Sequence, residues 1–383
     1  MNYEANATAI LKNVAPNDFA NPDNINLYQS RWEDLFIILA LFTEDNAKGI
    51  EAFDKLIQNN LQKTHFLTNP SIMPSILWSM IILGLRDTHT INRLFDSIFQ
   101  YQKWFVENRD PYNKGIISIF HPWESGREFS PDWIDALDNI HLDKVDVIRK
   151  TPFKNNNTQI ENVKYLMILE KMRELDWDSK DIYNNGLFNV CDPTVQFIFL
   201  RSIKDLYKIA IYLNRTETYK TIENWIDLYS FGSNYLWNTR HNAYSVLNLN
   251  TNILFNGISC GSLLYSYADV GNNEQKEALY LHSKRIIHYS NNLFPHCYSN
   301  KADFQVKKYW NGPTWCLMNL LLIFGFKQCG KTVISDKIKQ NLKHIIENNG
   351  FFEFINPTTC LGNGNENDIG TASIYLLLMN NLL

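Results

Sequence analysis

The chain has 383 residues, 45% of them apolar, enough to bury one large core or two modest ones. A net charge of −4 without a basic block excludes nucleic acid as the principal partner, since phosphate binding needs clustered Lys and Arg; pairs such as Lys307-Lys308 are too small. The N-terminus lacks a basic segment followed by an apolar stretch, and no run of about eighteen apolar residues occurs, so a cytoplasmic protein with no membrane partner is expected.

Apolar residues recur at three- and four-residue spacing between Asn-, Gly- and Pro-containing turns, the pattern of helices. The first candidate, 31–44, carries Trp32, Phe36, Ile37, Leu39 and Ala40; 47–62, 72–86 and 90–107 follow. After the loop 120–133 come 159–175, 193–213, 216–237, 253–270, 273–292, 313–328, 331–348 and 370–382. Roughly a dozen helices at about thirty residues each suit two concentric rings of six, whose antiparallel neighbours need only short connections. No consensus repeats at a fixed period and no linker divides the chain, so a closed all-α toroid is preferred over a solenoid, with residues 1–383 as a single domain.

The loop 120–133 reads Phe-His-Pro-Trp-Glu-Ser-Gly-Arg-Glu-Phe-Ser-Pro-Asp-Trp and gathers indoles, carboxylates and a guanidinium around a Ser125-Gly126 turn. Trp123 and Trp133 can stack on a pyranose, Arg127 can hold hydroxyls, and Glu124 or Glu128 can carry a proton. The same composition also fits a buried Trp pair beside a surface ion cluster. Trp32-Glu33, the 309–315 loop and the 350–357 segment also fall at element ends, and in a toroid such loops converge on one mouth. Six cysteines, at 191, 260, 297, 316, 329 and 360, show no metal-like spacing and are read as reduced thiols; His241, His282 and His288 are assigned no metal either.

With Glu107-Asn108-Arg109-Asp110-Pro111 ahead of it, the 120–133 loop resembles the Glu-Asn-Arg-Asp-Pro … His-Pro-Trp-Glu-Ser-Gly-x-Asp-Asn-Ser-Pro motif of glycoside hydrolase family 63. Phe188 to Leu200 resembles a helix-entry Asp-Pro segment of its short bacterial members, which include mannosylglycerate and glucosylglycerate hydrolases. Tyr309-Trp310-Asn311-Gly312-Pro313-Thr314-Trp315 resembles their Tyr-Trp-Arg-Gly-Pro-x-Trp, and Gly350 to Thr359 their Phe-Tyr-Glu-Tyr-x-Asn-Pro-x-Thr-Gly. These ordered matches span residues 107 to 358.

The resemblance implies an (α/α)6 barrel and an inverting α-glycosidase acting on a small α-glucoside or α-mannoside without a cofactor. Glu128, five residues after Trp123, stands where the family has its Asp general acid, and Glu353 where it has its general base. Trp32, Glu33, Trp123, Arg127, Trp310 and Trp315 would form the sugar subsite. Several positions differ from the family: Glu128 and Glu33 replace Asp, Asn311 replaces Arg, Ile72-Met73-Pro74 replaces Gln-Pro-Pro, and Asp368-Ile369-Gly370 replaces Phe-Ser-Trp. The last three favour a changed aglycone, whereas the two Asp-to-Glu differences fit either a compensated geometry for a different sugar position or a protein that only binds. A carbohydrate-binding or sensing protein with a degenerate site is the alternative, and an isomerase using His121 ranks last.

Overall fold

The computed structural model describes residues 2–19, 32–62, 67–141, 156–291, 293–295 and 309–380. Cys297, Lys307, Lys308 and the expected helix ends at 31, 292 and 382 lie outside them.

Six helices form a closed inner ring: α2 (Asp34–Glu44), α4 (Met73–Ile82), α9 (Pro193–Tyr212), α11 (Tyr265–Ala268), α13 (Cys316–Gln328) and α15 (Ile369–Met379). Each touches the next, and α15 touches α2. Their sequences explain their place. Every residue from Leu35 to Phe42 in α2 and from Gly370 to Leu378 in α15 is buried, as expected of helices that are apolar all round. Each large side chain so buried contributes roughly 1.5–3 kcal/mol.

The outer ring is α1 (Tyr3–Lys12), α3 (Asn46–Gln62), α5 (Thr88–Arg109), α10 (Thr216–Gly232), α12 (Asn273–Tyr289) and α14 (Thr332–Asn349). These are one-sided: α14 buries Ile334, Ile338, Leu342, Ile345 and Ile346 against α13 while its Lys and Glu positions face out. Side-chain caps open α1, α5 and α12, as where the Asp87 side chain accepts from the N–H groups of His89 and Thr90 to start α5. The outer partner of α15 is α1, from the other end of the chain. The architecture is an (α/α)6 barrel.

Three expected elements are corrected. Helix α1 fills the ring place that the periodicity gave to 159–175. The helix over that segment, α7 (Asn156–Glu174), instead sends Tyr165 against the 120–133 loop. Residues 253–270, expected as one helix, form a short strand, a turn around Asn256-Gly257, a 3₁₀ segment (Cys260–Leu264) and the one-turn α11. The segment is pinned because the Ser262 hydroxyl accepts from the Tyr244 N–H at 2.9 Å. The helix expected at 216–237 ends at Gly232.

Short strands were not anticipated. β1 (Ser118–Ile119), β2 (Val190–Cys191), β5 (Leu247–Asn248) and β6 (Ile253–Leu254) make an antiparallel sheet in that order. β3 (Trp237–Asn238) pairs with β4 (Ala243–Tyr244), and β7 (Phe352–Ile355) with β8 (Gly362–Glu366). Two-residue strands are too short to show a period of two. Among the described residues, no helix is long and apolar enough to cross a membrane.

Candidate active site

A cavity of about 280 Å³ is lined, among the described residues, by side chains that all come from connections running from an outer helix to the next inner one. Trp32 and Glu33 precede α2, Asn69 precedes α4, Gly126 and Glu128 lie between α5 and α9, Tyr309 and Trp310 precede α13, and Glu353 and Asn365 precede α15. Alternating helix direction puts all these connections at one end of the toroid, which is how residues more than 300 positions apart meet. A second cavity, between α6 (Ile134–Asp138) and the four-stranded sheet, carries Asp132, Asp135 and Asp138 beside Val190 and Val246 but no indole among its described lining. The combination of glutamate carboxylates with indole faces belongs to the first.

Glu128 is 7% exposed and follows the turn at Gly126. That turn is held from behind. Phe129, in the left-handed region at φ +63°, donates its N–H to the Tyr165 hydroxyl at 3.2 Å, and the two rings stack at 5.7 Å. On the opposite strand system, Glu353 lies half-buried on β7, and its Oε2 accepts from the Asn365 N–H at 3.2 Å. The Trp310 indole is backed by Trp315, with ring centroids 3.9 Å apart and planes 3° from parallel.

Five of the eight side chains expected at the site, Trp32, Glu33, Glu128, Trp310 and Glu353, line this cavity. Three do not. Arg127 is fully buried and turned away: Nη1 donates to Asp132 Oδ2 at 3.0 Å and Nη2 to Asp192 Oδ2 at 2.6 Å. Burial alone would lower its pKa, but the two carboxylates outweigh it and hold the guanidinium well above its ordinary value. Since Asp192 also accepts from the Thr194 N–H to cap α9, Arg127 ties the Glu128 turn to the inner ring. Trp315 sits behind Trp310 and donates Nε1–H to the Tyr309 carbonyl at 3.3 Å. Trp123 packs on His121 at 4.3 Å and edge-on to Tyr165.

Other residues of the loop are also structural. Glu124 is buried and accepts from Arg109 Nη2 at 2.6 Å, from the Phe120 N–H at 2.6 Å and from the Thr68 N–H at 2.9 Å. Burial pushes its carboxyl up, but Arg109 and these N–H groups prevail and hold it below the ordinary value, so it is no proton carrier. Trp133 lies under the Arg127 guanidinium, 5.3 Å from its ring centroid, and is only 1% exposed. His121 accepts from the Trp123 N–H on Nδ1 and meets the Tyr165 carbonyl through Nε2, both at 3.1 Å, and burial pushes its pKa down to about 4. With both nitrogens engaged in the fold, it does not serve an isomerase.

Sequence reasoning did not single out Asn69, Gly126, Tyr309 or Asn365 as lining residues. Gly126 and Tyr309 stood inside quoted motifs, whereas Asn365 lies in a polar run, Asn363-Gly364-Asn365, that reads as an ordinary loop. Among the described residues no group of three His, Cys, Asp or Glu side chains is arranged to hold a metal ion. Among the described residues, Cys191, Cys260, Cys316, Cys329 and Cys360 are in no disulfide.

Comparison with known proteins agrees with this fold. The family model for the mannosylglycerate hydrolase MGH1-like glycoside hydrolase domain matches residues 15–368. Mannosylglycerate hydrolase from one strain of Thermus thermophilus is 27% identical over 288 residues, covering 74% of this chain and 69% of that protein. Mannosylglycerate hydrolase MGH1 from Selaginella moellendorffii is 25% identical over 289 residues, covering 74% of this chain and 59% of its own length. The crystal structure of the GH63 mannosylglycerate hydrolase from another Thermus thermophilus strain, in complex with Tris and D-glycerate, superposes with a TM-score of 0.88 at 22% identity, covering 99% of this chain and all of that one.

Proposed function

Because this chain belongs to the mannosylglycerate hydrolase MGH1-like glycoside hydrolase family, we propose that it is an inverting α-glycosidase with Glu128 as general acid and Glu353 as general base. The observation that carries the reading is that these two carboxylates, far apart in sequence, open into one cavity with Trp32, Glu33 and Trp310.

In this mechanism Glu128 gives its proton to the glycosidic oxygen as the bond from C1 to that oxygen breaks. A water on the opposite face attacks C1 and passes a proton to Glu353, so an α-glycoside yields a β-sugar. The geometry required is a carboxyl separation of about 6.5–9.5 Å, room for that water. Trp32 and Trp310 offer aromatic faces to the sugar, and Glu33 accepts from its hydroxyls. Arg127, Trp123 and Trp315 support the lining residues from behind.

The substrate is a small glycoside. About 280 Å³ lies just below the range of about 300–1,000 Å³ typical of ligand pockets and suits one sugar with a short aglycone. Two ionised carboxylates, Glu33 and Glu353, line it beside the protonated Glu128, and like charges repel, which together with Asn311 in place of the family's Arg favours an uncharged aglycone over glycerate. The whole chain acts as one catalytic domain in this reading; support comes from α1 closing the outer ring against α15.

The test is sugar release from α-glucosides and α-mannosides bearing glycerate, glycerol or a second sugar, with the product anomer followed by NMR and Glu353→Gln as control. Release of the β-anomer that vanishes in the variant is expected. Release of the α-anomer rules out inversion; sugar binding without turnover leaves the carbohydrate-binding protein.

A further inference from the structure

The strand facing Glu353 is irregular. In the β7–β8 hairpin Phe352 pairs with Glu366 and Phe354 with Asn363, so Gly364 and Asn365 together oppose the single residue Glu353. Gly364 takes φ +79°, the left-handed conformation that opens a β-bulge of the glycine type. Such a bulge interrupts the ladder, and here the Asn365 N–H is given to a side chain: it donates to Glu353 Oε2 at 3.2 Å. The same distortion brings the carboxylate onto the glycine. A Cβ at position 364 would lie 2.7 Å from Glu353 Oε2, 2.8 Å from Glu353 Cβ and 2.8 Å from Phe354 Cε1. Contacts that short are not tolerated, so the Glu353 side chain or the strand would have to move.

Strand β7 is itself fixed at both ends. Ile355 exchanges two backbone hydrogen bonds with Thr314, at 2.8 and 2.9 Å, which joins β7 to the loop bearing Trp310. The Thr371 hydroxyl donates to the Phe352 carbonyl at 2.8 Å, joining it to α15. A flexible glutamate is thereby mounted on a strand anchored to two inner helices, with one carboxylate oxygen held by an N–H and the side chain bounded by a glycine.

We propose that the Gly364–Asn365 bulge is a positioning device for the general base, setting where the Glu353 carboxylate meets the attacking water. The inference rests on the assignment of Glu353 as base. A carboxylate displaced by about 1 Å loses on the order of a hundredfold in rate, while sugar affinity, carried by the indoles and Glu33, is untouched.

The experiment measures fluoride release from α-mannosyl fluoride and α-glucosyl fluoride, whose leaving group departs without a proton, so the rate reports the water-activating side. Gly364→Ala should lower kcat about a hundredfold with KM within about twofold of the parent and the melting temperature within a few degrees. Gly364→Asn tolerates positive φ yet keeps the offending Cβ, and should be as slow as the alanine variant. Parental kcat in Gly364→Ala, or recovery of kcat in Gly364→Asn, overturns the inference, the latter by making glycine a backbone requirement only. A melting temperature lowered in step with kcat overturns it as well. Glu353→Gln, run alongside, separates the premise: release retained in that variant, or a parent no faster than buffer, removes the base assignment itself.

Discussion

A Cβ on Gly126 would lie 2.6 Å from Nε1 and 2.7 Å from Cδ1 of Trp32, so the indole packs directly on the turn that leads to Glu128. The turn also needs φ +63°. One residue thus couples the sugar face before α2 to the carboxylate between α5 and α9. Gly126→Ala should cost roughly 1–2 kcal/mol of backbone strain and displace both groups. The expected result is a fall in kcat/KM of about 10- to 100-fold, read by steady-state kinetics alongside intrinsic tryptophan fluorescence.

Glu128 is longer by one methylene than the aspartate of the family 63 motif that its loop resembles. If the cavity is shaped for glutamate, Glu128→Asp withdraws the proton by about one bond length and lowers kcat by on the order of a hundredfold. Turnover that rises in this variant would instead mark the parent as a sugar-binding protein with a degenerate site.

The Arg127–Asp132–Asp192 group should govern stability more than binding. All three side chains are buried, and removal of the cation leaves two carboxylates facing each other without compensation. Arg127→Met is expected to cost about 3–5 kcal/mol in urea unfolding. Loss of activity with unchanged stability would show instead that the guanidinium reaches the sugar.

His121 predicts a pH dependence. Burial lowers its pKa to about 4, with the Tyr165 carbonyl and the Glu124 carboxylate opposing only part of the effect. The folded chain therefore holds this proton more weakly than the unfolded chain, whose imidazole titrates near about 6.5. Its contribution is fully present above about pH 6.5 and is lost as pH falls through about 4, a change of roughly 3 kcal/mol. His121→Gln should flatten the melting-temperature profile between pH 7 and 5 relative to the parent. The comparison with the parent is needed because Asp110 and Asp132, pushed up by burial, act in the opposite sense.

Much of the molecule was legible in the sequence because its signals are local. Apolar spacing marked most of the helices, and the motif strings carried the family and the segments that meet at the cavity, including Glu128, Glu353, Trp32, Glu33 and Trp310. Composition could not separate Arg127, Trp123 and Trp133 from residues that touch a ligand. An arginine between indoles and carboxylates reads the same whether its guanidinium pairs with protein carboxylates behind the loop or reaches sugar hydroxyls in front of it.

Tertiary structure decided what depends on which long-range neighbour arrives. The N-terminal helix α1 became a ring member because α15, from the far end of the chain, offers it an apolar partner. The segment 253–270 has helical spacing, yet its turns and the Ser262 contact with Tyr244 broke it. β1, β2 and β5 pair across long stretches of chain, and the bulge opposite Glu353 exists because β8 is one residue out of step with β7. Sequence marked most of the helical segments and the chemistry they carry, since propensity and pattern act within a few residues. The facing of each side chain was set by ring closure, a property of contacts between residues hundreds of positions apart.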